Sequence, residues 1–180
     1  MPATPAPIPT EVELVRSFVN TVDFDEGTEE LGVPEDLSRW LIKAGLVPKG
    51  TVASGRDLRV ALQLREALRA DLAANHDGNH GAAQRAALDA ACRELPLHAV
   101  STAAGLAPAF TGLRSGLAAL VAASVTSRIK GSWTRLKICP SEDCRWAFYD
   151  TSRNRSKRWC SMETCGNRHK VRAFRDRAHT

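Results

Sequence analysis

Four of the chain's five cysteines form two Cys-x4-Cys pairs near its C-terminal end, Cys139 with Cys144 and Cys160 with Cys165. Such a pair can close a tight turn around one tetrahedral ion, and two pairs supply the four thiolates of a closed structural zinc site. A closed site leaves no position for water or substrate, so the spacing predicts one structural Zn2+ without catalysis at the metal. Two disulfides or four unrelated thiols are the alternatives, but the odd cysteine count and the clustering favour zinc.

Length and hydropathy limit the class of protein. The 180 residues can form one sizeable core plus a small appended module. No apolar run approaches the roughly 20 residues that cross a bilayer, and residues 2–9 lack the charged start of a signal peptide. We therefore expect a cytoplasmic protein with no membrane contact, in a compartment that keeps thiols reduced.

Charge is distributed unevenly along the chain, although the net charge is only +5. Residues 1–127 carry 11 lysines and arginines against 15 acidic residues, a net charge of −4. Residues 128–180 carry 14 against 5, a net charge of +9. Even after four thiolates bind Zn2+, this second part keeps enough positive charge to attract phosphate, whereas the first part has no reason to approach nucleic acid.

Apolar periodicity and helix signals predict a mainly α protein. We expect helices over residues 10 to about 24, 34–45, about 57–75, about 81–93 and 108–129, the first one opened by a Thr10/Glu13 capping box. A short strand or hairpin is expected within residues 95–109. The predicted organisation is a disordered tail (residues 1–9), a helical domain with a small β element (residues 10–130) and a four-cysteine zinc finger (residues 131–180).

The zinc finger should consist of a knuckle, a hairpin and a helix. The first cysteine pair forms the knuckle, and residues 145–150 form a strand in which Trp146 and Phe148 alternate. A polar turn follows, a return strand carries Trp159 and Cys160, and a helix begins near Cys165. This order is that of a treble-clef-like finger, in which the positive end of the helix dipole favours a thiolate ligand.

Basic side chains dominate the turn and the final helix of the finger. They are Arg153, Arg155, Lys157 and Arg158 in the turn, and Arg168, Lys170, Arg172, Arg175 and Arg177 in the helix. Helical spacing puts residues 168, 172 and 175 on one face and Val171, Phe174 and Ala178 on another. We expect the arginine face to contact nucleic acid and the apolar face to pack on the protein; a merely solvated basic helix is the alternative.

Aromatic residues of the finger also have two interpretations. Trp146, Phe148 and Trp159 could be platforms on which single-stranded bases stack. The favoured interpretation is that they form the small hydrophobic core that a metal module of this size still requires.

Other residues could hold a ligand elsewhere. His76 and His80 could share a metal if they were helical, but Gly78 between them favours a loop. An acidic loop at residues 23–30 could bind a cation or contact the basic finger, although a solvated loop is the favoured interpretation. Cys92 is expected to be a small buried apolar residue. The chain has no phosphate-binding glycine loop and no nucleophile motif, so we predict no enzymatic activity.

The finger resembles the CGNR zinc-finger family. The resemblance rests on Cys139 and Cys144, on residues 146–150 (WAFYD) and 152–162 (SRNRSKRWCSM), and on Cys165-Gly166-Asn167-Arg168 with Lys170 and Arg172. The preceding part resembles, more loosely, the helical ABATE-type domain that accompanies this finger, through residues 18–21 (FVNT), 37–41 (LSRWL) and 64–69 (LREALR).

The resemblance implies a bacterial stress-induced transcription regulator with a DNA-binding finger and a sensing domain. The expected partners are duplex DNA and a small-molecule effector. Asn167 and Arg168 could contact DNA or tie the helix start to the hairpin. Two alternatives remain at this stage: a small-ligand or protein-interaction module with a structural finger, and an RNA-binding protein. The target sequence, the effector and the oligomeric state do not follow from the sequence.

Overall fold

Helices dominate the computed structural model of this chain, which describes residues 7–76, 78, 81–100 and 105–178. The helices are α1 (Thr10–Val19), α2 (Pro34–Lys43), α3 (Gly55–Ala73), α4 (Ala82–Arg93), α5 (Leu113–Ile129) and α6 (Asn167–Ala178). The mainly α prediction is confirmed. Residues 1–6 of the predicted tail and His80 lie outside the described residues.

Short antiparallel strand pairs accompany the helices. The strands are β1 (Val22–Asp23), β2 (Thr28–Glu29), β3 (Leu97–Ala99), β4 (Leu106–Pro108), β5 (Leu136–Ile138) and β6 (Ala147–Tyr149). They pair as β1 with β2, β3 with β4 and β5 with β6. The β3–β4 pair is the hairpin predicted within residues 95–109. Among the described helices, none has the length and apolarity that a bilayer crossing requires.

Local signals account for some helix starts and fail at others. Ser54 caps α3, because its hydroxyl accepts a hydrogen bond from the Asp57 N–H while the Asp57 carboxylate accepts one from the Ser54 N–H. The predicted Thr10/Glu13 capping box is wrong. Thr10 is already helical, and the Glu13 carboxylate instead accepts hydrogen bonds from Arg16 at 2.7 and 2.9 Å.

One hydrophobic core joins the helices to the first strands of the finger. Its fully buried helical residues include Phe18 of α1, Leu64 and Leu68 of α3, and Leu117 and Leu120 of α5. The same cluster contains Trp133, Leu136, Ile138 and Ala147. The β5–β6 hairpin is therefore packed on the helical core. The domain boundary expected between residues 130 and 131 stays a prediction.

Polar side chains in the 3-10 turn that follows α3 (Ala74–His76) bind this hairpin. Asn75 donates hydrogen bonds to the carbonyl oxygens of Trp133 and Leu136, at 2.9 and 2.7 Å. The His76 ring contacts the carbonyl oxygen of Ile138. These bonds satisfy backbone groups that packing would otherwise leave buried without a partner.

A second connection runs from the end of α1 to β6. The Asn20 side chain donates to the Ala147 carbonyl at 2.9 Å and accepts from the Ala147 N–H at 2.8 Å. Arg69, whose side chain is 1% exposed, donates to the carbonyl oxygens of Val19 and Arg145. Both side chains belong to the segments that resemble the ABATE-type domain, so those segments hold the finger in place.

Replacing Asn20 with alanine removes both bonds to Ala147. We expect the Asn20→Ala protein to lose about 1–3 kcal/mol of unfolding free energy, the usual cost of a buried polar group left without its partner. Urea unfolding followed by circular dichroism at constant zinc concentration measures this loss.

Gln63→Ala is the matched control, because Gln63 is exposed and makes no hydrogen bond within the described part of the chain. If Asn20→Ala unfolds at the same urea concentration as Gln63→Ala, the two bonds do not stabilise the docked finger.

Candidate metal centre and basic surface

The four cysteines predicted as ligands converge at one place. Their sulfur atoms all lie within 4.8 Å of one another. Cys160 Sγ is 3.6 Å from both Cys144 Sγ and Cys165 Sγ. Because Zn–S bonds are about 2.3 Å long, sulfurs at the corners of a zinc tetrahedron lie about 3.8 Å apart. The donor set and its spacing therefore fit one structural zinc ion held by these residues.

Local backbone geometry shapes the first half of the site. Cys139 directly follows β5, and its N–H bonds to the Trp146 carbonyl at 2.8 Å. The N–H groups of Cys144 and Arg145 both donate to the Ser141 carbonyl, which closes the turn. Arg145 adopts a left-handed conformation with φ 49°. This turn is the predicted knuckle.

The second half of the site opens the final helix. The Ser161 hydroxyl accepts a hydrogen bond from the Thr164 N–H and caps a π-helical turn at Met162–Gly166 that leads into α6. A Cβ at Gly166 would lie 2.9 Å from the sulfur of Met162, so a larger residue here would displace the end of that half-exposed side chain. The helix thus begins two residues after the predicted start.

Electrostatics within the cluster favour a cation. Hydrogen bonding to Cys160 lowers the pKa of the Cys139 thiol to about 5. Burial raises the pKa of the Cys144 thiol to about 12, and hydrogen bonding to Cys139 together with burial raises that of Cys160. Four thiolates this close repel one another, and a bound divalent cation is what allows all of them to ionise.

The aromatic residues of the finger surround the metal centre. Phe148 is 5% exposed, and Trp146 and Trp159 pack partly buried against the cysteines. The Trp159 ring also contacts the ring of His169 on α6, with centroids 4.9 Å apart. This packing confirms the prediction that these three side chains form a small core.

The turn that carries four of the predicted nucleic-acid-binding residues is held by a buried ion pair. We call residues 151–158 the basic turn. Lys137 on β5 lies 2.8 Å from the Asp150 carboxylate, and their side chains are 6% and 0% exposed. The Lys137 ammonium also donates to the carbonyl oxygens of Arg155 and Lys157, while Asp150 accepts from the Lys157 N–H. The pair therefore folds the backbone of the turn against β5.

This clamp replaces the predicted return strand. Residues 159–160 are not a strand, and the finger's hairpin is instead β5 with β6, on either side of the first cysteine pair. The strand prediction failed because side-chain bonds from Lys137 and Asp150 satisfy the returning backbone in place of a ladder. Sequence reasoning missed both residues, since they lie 13 positions apart and no local pattern signals their pairing.

The nine predicted nucleic-acid-binding residues differ in their surroundings. In the basic turn Arg153, Arg155 and Arg158 are exposed, whereas Lys157 is half-buried over the Phe148 ring. On α6, Lys170, Arg172, Arg175 and Arg177 are exposed, whereas Arg168 is half-buried. Seven of the nine side chains are therefore exposed to solvent.

Two arginines of the predicted guanidinium face are held by carboxylates of the same chain. Arg168 makes two hydrogen bonds of 2.7 Å to the Asp25 carboxylate and a third, of 3.7 Å, to Cys165 Sγ. Arg172 is paired with Asp143 of the knuckle. Asp25 belongs to the acidic loop, residues 23–30, so this loop contacts the finger, and the interpretation of it as a merely solvated loop is wrong.

The apolar stripe of α6 does not pack as predicted. Val171 is 50% exposed and Phe174 is 68% exposed. The third member, Ala178, has a side chain outside the described part of the structure. The prediction is wrong because α6 packs chiefly on the turn before it, so the helix projects from the finger.

We expect one zinc ion per chain in reduced, freshly purified protein. Cys160→Ser should abolish stoichiometric zinc binding and unfold the finger, because three thiolates leave the tetrahedral site incomplete. Elemental analysis gives the zinc content. Cys92→Ser is the control, since Cys92 lies outside the cluster; wild-type protein that contains no zinc would overturn the assignment.

Asp150→Asn should destabilise the finger by about 3–5 kcal/mol at neutral pH, because it leaves the buried Lys137 ammonium without its counter-charge. Burial alone would raise the pKa of Asp150, but hydrogen bonds from Lys137 and Ser152 outweigh burial and lower it. The stabilisation is therefore present above an unfolded-state pKa of about 3.9 and is lost as the pH falls through the folded-state value.

Urea unfolding of zinc-saturated protein measures the change. Adding Lys137→Met to Asp150→Asn removes the unpaired charge and should restore part of the lost stability. If Asp150→Asn unfolds at the same urea concentration as the wild type, the Lys137–Asp150 pair does not hold the basic turn.

Comparison with protein families supports this description of the chain. Residues 13–131 match the ABATE family, described as "Putative stress-induced transcription regulator", and residues 135–178 match the CGNR zinc finger. No curated protein matches the chain. The order of the two matches is the order predicted from the sequence, and the four cysteines lie within the second. Because the first match spans more than half of its length, the chain belongs to the ABATE family, and it carries a CGNR zinc finger with a four-cysteine site for one structural zinc ion.

Proposed function

We propose that this protein is a DNA-binding transcription regulator whose zinc finger contacts the duplex through exposed basic side chains. The observation that carries the proposal is that the finger keeps exposed cations that no carboxylate of the described side chains neutralises. Within the described residues, Arg153, Arg158, Lys170 and Arg175 have no acidic partner. Such side chains bind phosphate without first breaking an ion pair.

The zinc centre and the Lys137–Asp150 pair hold the backbone segments that carry these cations. The metal would hold the start of α6 beside the knuckle through Cys165, and the buried ion pair fixes the basic turn against β5. Phosphate contacts from side chains on a fixed backbone lose less backbone conformational entropy than contacts from a flexible tail. Sequence preference would then come from a small number of arginines that reach base edges.

The ABATE-type part is the proposed sensing domain. A cleft of 620 Å³ is lined by residues of α1 and α2, including Trp40, and by Trp146 of the finger. Its volume lies in the range of about 300–1,000 Å³ that small-molecule pockets occupy. Asn20 lines the same cleft and bonds to Ala147, so an effector bound there would touch residues that fasten the finger. This proposal places the protein in the bacterial cytoplasm.

Lys170→Ala combined with Arg175→Ala should weaken binding to random duplex DNA. We expect the slope of log Kobs against log salt concentration to become shallower by about 0.9 for each DNA phosphate that the variant no longer binds. Fluorescence anisotropy with a labelled duplex, over a series of salt concentrations, measures both quantities.

The control is Lys49→Ala with Arg59→Ala, which removes two exposed positive charges from the helical part. If both double variants weaken duplex binding equally, the affinity depends only on the net charge of the protein and not on the cations of the finger. A wild-type protein that prefers single-stranded RNA over duplex DNA at the same salt concentration would count against the proposal.

A further inference from the structure

One ion pair joins the acidic loop of the helical part to a predicted DNA-binding side chain. Both terminal nitrogens of Arg168 donate to the two oxygens of Asp25, each at 2.7 Å. This is the two-pronged geometry with which a guanidinium also binds a phosphate group. A carboxylate therefore occupies the edge of Arg168 that a DNA phosphate would use.

Other contacts of Arg168 lie on the protein side of its guanidinium. Its Nη2 atom also contacts Cys165 Sγ at 3.7 Å, and its Nε atom is buried without a hydrogen-bond partner among the described residues. A phosphate can thus take the two-pronged position on the terminal nitrogens of Arg168 only if Asp25 moves.

The ion pair at the base of the loop is more buried than the ion pair at its tip. Glu29, at the base, is bound to Arg65 by two hydrogen bonds of 2.7 Å, and the Arg65 side chain is 6% exposed. At the tip, the Asp25 side chain is 42% exposed, and the side chain of its partner Arg168 on α6 is 33% exposed. Water screens an exposed ion pair, which makes it weak and easily exchanged for another anion.

The tip itself is a short turn resting on the finger. Residues 24–27 connect β1 to β2, and Gly27 takes a left-handed conformation with φ 67°. The Phe24 ring lies 5.0 Å from the Arg69 guanidinium and 4.8 Å from that of Arg145. Because the Phe24 ring is itself partly exposed, these interactions position the tip without burying it.

We propose that Asp25 competes with DNA phosphate for Arg168, so that the tip of the acidic loop leaves the finger when a duplex binds. The inference rests on the proposed DNA-binding function and adds a regulatory contact to it. The helical part lowers the DNA affinity of the finger by occupying one of its cations. Any event that draws the tip away from Arg168 therefore raises that affinity.

Asp25→Asn tests this competition in the full-length, zinc-loaded protein. We expect duplex affinity to rise about two- to fivefold, as for the removal of an exposed ion pair, whereas the salt slope should stay near the wild-type value because Arg168 binds a DNA phosphate in both complexes. Glu26→Gln is the matched control: it removes the same charge from the neighbouring position, and Glu26 has no ion pair with any described residue.

A double variant separates competition from general electrostatics. In an Arg168→Gln background, Asp25→Asn should change the affinity no more than Glu26→Gln does, because the contested cation is gone. The proposal is overturned if Asp25→Asn binds no more tightly than Glu26→Gln, or if its advantage persists without Arg168. Zinc content and unfolding curves confirm that the variants are folded.

A second probe keeps this inference separate from the proposed function. If neither the wild type nor any variant binds duplex, the DNA-binding proposal fails, and inorganic pyrophosphate then decides the matter. Isothermal titration calorimetry should show that pyrophosphate binds Asp25→Asn more tightly than Glu26→Gln, and this difference should disappear in an Arg168→Gln background. Equal pyrophosphate affinities of Asp25→Asn and Glu26→Gln would overturn the competition for Arg168.

Discussion

Docking of the β5–β6 hairpin onto the helical core is the constraint on which the rest of the structure depends. Leu136, Ile138 and Ala147 are buried in the same cluster as the helices, and Asn20 bonds the backbone of Ala147 in both directions. Because the first cysteine pair lies between these two strands, the same packing fixes the knuckle. A metal site that could have been an independent appendage is thereby tied to the ABATE-type part.

The finger uses its charges in two ways. Lys137 and Asp150 are buried and organise the backbone of the basic turn, whereas exposed cations such as Arg153 and Arg175 have no acidic partner among the described residues. Arg168 belongs to neither group, because it is half-buried and contacts both the zinc ligand Cys165 and the Asp25 carboxylate. Net charge alone would have counted all of them as equal contributors to phosphate binding.

The sequence predicted elements whose signals are local. Helix α2 begins at Pro34 as expected, and the four cysteines indicate a zinc site by their spacing. Prediction failed where a side chain or backbone segment found another partner, or where an apolar face is left uncovered in the described part of the structure. Thr10 does not cap α1, the return strand at residues 159–160 is replaced by the Lys137–Asp150 clamp, and Phe174 stays exposed although its spacing suggested a packed stripe.

The sequence by itself determined the donor set of the metal site, the order of the two family domains and the concentration of positive charge in the finger, because each is a property of residue type and spacing. Only the tertiary structure decided which cations are paired with carboxylates and which are exposed without one. Asp25 and Arg168 are 143 positions apart, and Asn20 and Ala147 are 127 apart. Pairings over such separations depend on how helices and hairpins pack together, which no local pattern encodes.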